Sequence, residues 1–359
     1  MNHQSKSLLR LSIQKFRKNT LGVVCFWLVT LCGFIAIFGY TFAPDNSRNA
    51  NQMHLEIHSK EPGFSTLMLI IPSDKIADDS FLNGILYGKV NLDQEIPIRS
   101  YEVKDRQLEY VRFSDGLTKS IPLNTIKNTP EKYIQQRTFY FGTDKYGRDL
   151  LSRLIIGTRI SFFIGFIAVF ISLVIGISLG AIAGYFGGRV DAFIMWIINI
   201  TWSIPTLLLV IAITLALGKG YWQVFIAVGL TMWVEVARVV RGQVMSTRQQ
   251  PYIEAAKALG FSSRRIIFRH ILPNIIAPVI VISAANFAAA VLIESGLSFL
   301  GIGAQPPTPS WGAIIKNHYN YMILGKPHLA MIPGLAIMSL VMAFMLIGNT
   351  LRDALDVKQ

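Results

Sequence analysis

The sequence predicts an all-α polytopic membrane protein of six transmembrane helices with one small β-rich extracytoplasmic insert. Three observations predict it. Of 359 residues, 52% are hydrophobic and only 15% charged, against about a quarter charged in soluble domains. Six apolar stretches each supply the ~20 residues that cross ~30 Å of hydrocarbon. One long polar stretch between the first two carries strand-like alternation instead.

The first span is Leu21 to Phe42, preceded by Lys6, Arg10, Lys15, Arg17 and Lys18. Its apolar run is too long for a signal peptide and no small-x-small cleavage site follows, so it reads as an uncleaved anchor. The others are Ser161 to Tyr185, Ala192 to Leu217, Tyr221 to Val240, Ile276 to Leu300 and Leu329 to Leu351. The five N-terminal cations place residues 1–20 in the cytosol, and six crossings return the C-terminus to the same side. The segment between spans four and five then falls inside too, with Arg238, Arg241, Arg248, Lys257, Arg264, Arg265 and Arg269. The net charge of +13 thus reads as membrane orientation rather than nucleic-acid binding. Cys25 and Cys32 lie two helical turns apart in span one and cannot bridge each other.

Residues 43–149 form the insert. "IPIRSYEV" alternates as an edge strand would, and "LEYVRFSDGLTKSIPL" sets Asp115-Gly116 between two strand-like runs, a hairpin signal. A spacer or cap and a specific docking surface both fit it. Residues 150–359 form the core, with five spans and a cytosolic loop at about 241–275.

Within the spans, Gly176, Gly180 and Gly184 recur every four residues and align on one face, where a neighbouring backbone can approach. "GISLG" among them matches the serine-hydrolase elbow pattern, but that motif needs a strand-to-helix turn and here sits inside a continuous apolar helix. Pro205 removes one backbone hydrogen bond from span three and predicts a kink, with a place in the transport path open to it. Glu235, one turn before Arg238, reads as a local ion pair at the cytosolic boundary. Glu294 lies deep in span five, with Asn286 two turns earlier. A gate or pathway role and a buried structural hydrogen bond stand side by side for that carboxylate.

The chain has no G-x-x-x-x-G-K-[ST] phosphate loop, no H-E-x-x-H pair, no cysteine cluster and no histidine spacing for a metal. It reads as no enzyme, and as binding no cofactor or metal of its own. Energy for uphill transport would come from outside it.

The cytosolic loop contains "YIEAAKALGFSSRRIIFRHILPN", Tyr252 to Asn274. Glu254 to Leu259 are strong helix formers, Gly260 can take positive φ and end that helix, and Ser262 or Ser263 can cap a second, Arg264 to Leu272, before Pro273. Two short helices joined rigidly to a membrane span suit a partner surface, and equally a loop folded for its own sake.

This segment resembles the E-A-A-x-x-x-G-x(9)-I-x-L-P signature of ABC importer permeases, with Glu254, Ala255, Ala256, Gly260, Leu272 and Pro273 on its positions. "FGTDKYGRDLLSRLIIGTRISF", "VRGQVM", "ESGLSFLGIGAQPPTPSWG", "GNTLRDALD" and "FRKNTLGV" resemble the dipeptide/oligopeptide/nickel branch, and its C-type second permease in particular. The resemblance covers span one and everything from about Phe141 onward. It implies the type I permease fold and a coupling helix seated in a cytosolic ATPase, bringing Glu254, Ala255, Ala256, Lys257, Gly260, Arg264 and Arg265 to the ATPase side. It also implies a homologous permease partner, two ATPases holding ATP and Mg, an extracytoplasmic substrate-binding protein, a peptide substrate and the bacterial inner membrane. Nickel and glutathione compete as cargo within the branch. Outside it stand a self-sufficient secondary transporter or channel, which would need no ATPase, and an anchored binding protein acting through the insert. Where the branch commonly has an Arg and an Asp in span three, this chain has Trp196 and Asn199. It has Val357 where a Pro is usual, and its insert is longer than most.

Overall fold

A computed structural model describes residues 8–73, 81–126 and 129–355. Lys6 of the N-terminal cations, and Asp356 and Val357 of the tail, lie outside them. The helices, in chain order, are α1 (Leu8–Lys18), α2 (Thr20–Phe42), α3 (Phe81–Tyr87), α4 (Pro130–Tyr133), α5 (Leu150–Phe186), α6 (Gly188–Ser203), α7 (Thr206–Leu217), α8 (Tyr221–Arg248), α9 (Pro251–Ala258), α10 (Ser263–Ile266), α11 (Ile276–Leu300), α12 (Trp311–His318) and α13 (His328–Leu355). The strands are β1 (Phe64–Ile71), β2 (Gln94–Lys104), β3 (Gln107–Arg112), β4 (Thr118–Pro122) and β5 (Ile134–Phe139). Two compact units share them: residues up to 33, 161–303 and 336 onward in one, and 34–160 with 304–335 in the other.

Among the described residues, five helical stretches are long and apolar enough to cross a membrane. They are α2, α5, α8, the stretch ending in α11, and α13. A sixth crossing exists only if α6 and α7 count as one span, because the pair is bent by 91°. The kink expected at Pro205 is thus a full break. Ile204 is extended, as the residue before a proline prefers, and Pro205 (φ −52°, ψ 124°) stands outside α7 as its N-cap. Two consecutive non-helical residues turn the axis where one missing hydrogen bond would only have bent it.

In the first unit α8 is the central helix, with thirteen buried residues. The α5 glycines lie flat on it. A Cβ at Gly176 would fall 2.8 Å from the Trp233 carbonyl oxygen, at Gly180 2.5 Å from that of Ala237, and at Gly184 2.7 Å from that of Arg241. The small-residue face therefore meets this chain's own helix. Phe287 of α11 stacks on Phe344 of α13, ring centroids 3.6 Å apart.

The second unit holds an antiparallel sheet in the order β4-β3-β2-β1-β5. Leu69, Ile98, Leu108, Tyr110, Ile126 and Ile134 form its core. The β3–β4 hairpin turns through Asp115-Gly116, with Gly116 at φ +67° and Arg112 N–H donating to the Leu117 carbonyl at 3.1 Å. The strand containing "IPIRSYEV" is central, not an edge, since β2 pairs with both β1 and β3. Period-two alternation reports one wet face; it does not report how many neighbours a strand has.

The motif before α5 closes on itself. Asp144, fully buried, accepts from Arg148 Nε at 2.7 Å and from the Tyr146 and Arg148 backbone N–H groups at 2.8 and 3.0 Å. Asp149 caps the helix through the Ser152 N–H at 2.8 Å.

Candidate functional site

The loop after α8 is built as two short helices on a buried base. Pro251 occupies the first position of α9, where its missing N–H is no loss. Ile253 and Ala256, one turn apart, are buried. They join Tyr185 of α5, Val240 and Val244 of α8, and Ile266, Ile267 and Ile271 in one core. That shared base fixes the element to the membrane helices.

Gly260 closes α9 at φ +76°. The Gly260 N–H donates to the Lys257 carbonyl at 2.9 Å and the Phe261 N–H to that of Ala256 at 3.1 Å, the paired bonds of a Schellman ending. A Cβ on Gly260 would touch nothing within 4 Å, so the backbone angle alone calls for glycine. Ser262 then stands as N-cap of α10 without a side-chain hydrogen bond. The expected second helix is not uniform: α10 gives way to a π-helical turn, Ile267–Ile271, and a 3-10 turn, Leu272–Ile275. Pro273 has no N–H to continue the α pattern, which explains the change in pitch.

Of the coupling set expected from the sequence, Glu254, Ala255, Lys257, Gly260, Arg264 and Arg265 are exposed, whereas Ala256 is 5% exposed and faces inward. Ala256 seats the helix rather than presenting a surface. Arg265 lies over the Phe261 ring at 4.2 Å, and Lys257 reaches Tyr185 at 5.9 Å. Phe261 in turn stacks on His270, and Asn274 bonds the Tyr252 hydroxyl at 3.1 Å and the His270 carbonyl at 2.7 Å. The side chains of Glu254 and Arg264 make no hydrogen bond or ion pair with described residues. The element also exposes Leu259 (73%) and Phe268 (67%), which the sequence reading missed.

Elsewhere the predicted residues separate. Glu294 is buried and accepts from Ser298 Oγ at 2.6 Å, one turn along its own helix. Asn286 is equally buried, ~12 Å away along α11, with its Nδ2 lacking a partner among the described residues. The structure does not join the two. Nor does it pair Glu235 with Arg238. Arg238 Nη2 donates to Asn199 Oδ1 at 3.0 Å, and its guanidinium lies 3.5 Å from the centre of the Trp202 ring. One turn on, Arg241 grips Asp191 of α6 through two hydrogen bonds, one of 2.6 Å, an α6–α8 link the sequence did not reveal.

Residues 176–358, which include the whole two-helix element, match the family described as binding-protein-dependent transport system inner membrane component. The chain belongs to this family. Residues 7–60 match the N-terminal TM domain of oligopeptide transport permease C, so most of the insert falls between the two matches. Over 219 residues, 61% of this chain and 72% of the relative, this permease is 41% identical to the glutathione transport system permease protein GsiD of Pectobacterium atrosepticum. Over the same length and shares it is 43% identical to the dipeptide transport system permease protein DppC of Alkalihalophilus pseudofirmus. Among solved structures, a chain of the inward-facing methionine ABC transporter MetNI is 19% identical, with a TM-score of 0.47 over 56% of this chain and 95% of its own. This permease is a multi-pass, non-catalytic membrane subunit of an ABC importer that works with other transporter components.

Proposed function

We propose that this permease, with a homologous second permease, forms the path by which an ABC importer takes peptides across the bacterial inner membrane, both termini lying in the cytosol. Two cytosolic ATPases hold the ATP and Mg, and an extracytoplasmic binding protein delivers the peptide above. The element from Pro251 to Ile275 is the coupling site. Glu254, Ala255, Lys257, Gly260, Arg264 and Arg265 face the ATPase, and Ala256 holds the helix to its base. The observation that carries this reading is one surface with two sides. Ile253, Ala256, Ile266 and Ile271 are locked into the α5–α8 core, while unpaired charge and bare Leu259 and Phe268 point away from it. A push on the exposed side reaches the membrane helices through the buried side, as a rigid two-state switch requires.

Peptide cargo is supported by the similarity to a dipeptide permease and a glutathione permease, glutathione being itself a short peptide. In proteoliposomes holding both permeases, both ATPases and the binding protein, labelled dipeptide should accumulate only with ATP and Mg. Accumulation by the permeases alone would favour a self-sufficient transporter, and nickel uptake without peptide uptake would replace the cargo.

A further inference from the structure

The break between α6 and α7 opens a cavity of about 180 Å³, walled by Thr201 and Trp202 before the break, Thr206 after it, Glu235 of α8, and Ala289 and Ile293 of α11. Among the described residues lining it, Glu235 alone is ionisable. Its carboxylate is exposed and has no hydrogen bond or ion pair with described residues. The cation one turn away is already engaged, since Arg238 donates to Asn199 and covers Trp202.

The depth of this cavity sets its meaning. Ala289 and Ile293 lie ~20–25 Å along α11 from its start at Ile276, well inside the apolar span. Glu235 lines the cavity at the level of these two residues. An exposed carboxylate at this depth is costly against lipid and faces protein or a water-filled route. A broken helix at mid-membrane is where irregular backbone is tolerated for the same reason. The remaining described lining is hydroxyl, aromatic, thioether and aliphatic, with no fixed cation. A ligand group that suits it is positive, small and attached to a neutral body.

We propose that Glu235 receives the α-ammonium group of a peptide as it passes the α6–α7 break, and so selects for a free amino terminus. The inference rests on the peptide reading above. Thr206 and Thr231 border the same space, and Trp202 offers a ring face beside it. Glu235 acts on the passing substrate and leaves ATP coupling to the cytosolic element.

The test uses the complete transporter turning over ATP in proteoliposomes with a labelled dipeptide. A water-soluble carbodiimide added during turnover should join the peptide amine to the Glu235 carboxylate as an amide, the carbodiimide leaving as its urea. The adduct is found by mass spectrometry on the fragment containing Glu235. The N-acetylated dipeptide should give none. Glu235→Gln should lower uptake of the free-amine dipeptide about tenfold, as loss of a charged hydrogen bond does, while Glu235→Asp keeps most of it. Comparing both variants with both peptides cancels the binding protein's own preference. Peptide accumulation with no adduct at Glu235, or an equal effect of Glu235→Gln on both peptides, would overturn the proposal. A wild-type transporter that accumulates no peptide at all would overturn the peptide reading itself, and this one with it.

Discussion

Gly180 of α5 and Ala237 of α8 approach so closely that a Cβ on the glycine would stand 2.5 Å from the Ala237 carbonyl oxygen. Backbone meets backbone there, with Gly176 and Gly184 repeating the approach on either side. The helix that receives them, α8, leads directly into the coupling element.

Gly180→Leu should push α5 off α8 and destabilise the permease itself, by about 1–3 kcal/mol or more for overpacking of this kind. The expected result is a lower yield of folded chain in detergent, even without its partners. Wild-type yield and thermal stability of the isolated chain would show that α5 and α8 do not pack through this face.

The insert should respond to acid through Glu95. Burial alone would raise its pKa, but the hydrogen bonds and charge of Arg137 and the close approach of His54 at 3.4 Å outweigh that and hold it down at about 2 from an ordinary 4.5. Arg137 bonds both carboxylate oxygens, at 2.7 and 3.2 Å. The folded pKa lies below the unfolded one, so this stabilisation is present in full above pH 4.5 and lost as pH falls towards 2. It amounts to roughly 3 kcal/mol. Protection factors of the β2 amides in the full chain, taken relative to the intrinsic exchange rate at each pH, should fall across that window, and Glu95→Gln should remove most of the acid step while weakening the insert at neutral pH. An unchanged acid profile in Glu95→Gln would place the sensitivity elsewhere.

Sidedness follows from the cation distribution. With Cys25 and Cys32 replaced, single cysteines at the exposed positions Ser114 and Ser262 should label from opposite sides of the membrane. An impermeant maleimide outside intact cells should reach the first and not the second. Labelling of both from outside would overturn the orientation.

The sequence was most legible where local chemistry and global packing agree. Gly260 ends α9 because helix formers run up to it and only positive φ lets the chain turn. The four-residue glycine spacing pointed to a close backbone approach, and α8 supplies it. Pro205 announced an interruption but not its size, since a missing N–H does not say whether the following residues resume the same axis. The position of β2 within its sheet, and the partners of Glu235 and Arg238, depend on elements distant in sequence. Arg238 prefers Asn199 and Trp202 of α6 to its own neighbour Glu235, and spacing along one helix carries no trace of that. Leu259 and Phe268 were missed because apolar residues in a short amphipathic helix read as core until the core is seen to be full.

Two variants in the assembled transporter separate the geometry of the coupling element from its contacts. Gly260→Val places a β-branched residue at φ +76°, a strain of about 1–3 kcal/mol, and leaves the charged side chains of the exposed surface in place. Glu254→Lys keeps the backbone and reverses an exposed, unpaired charge; loss of one partner in a buried interface ion pair costs about 2–5 kcal/mol. Both variants should insert and pair with the second permease, since neither touches a membrane span. Peptide uptake and peptide-stimulated ATP hydrolysis should fall together in both, with the ATPases lost on purification more readily from Glu254→Lys than from Gly260→Val. Wild-type uptake by both variants with the ATPases bound would contradict the account.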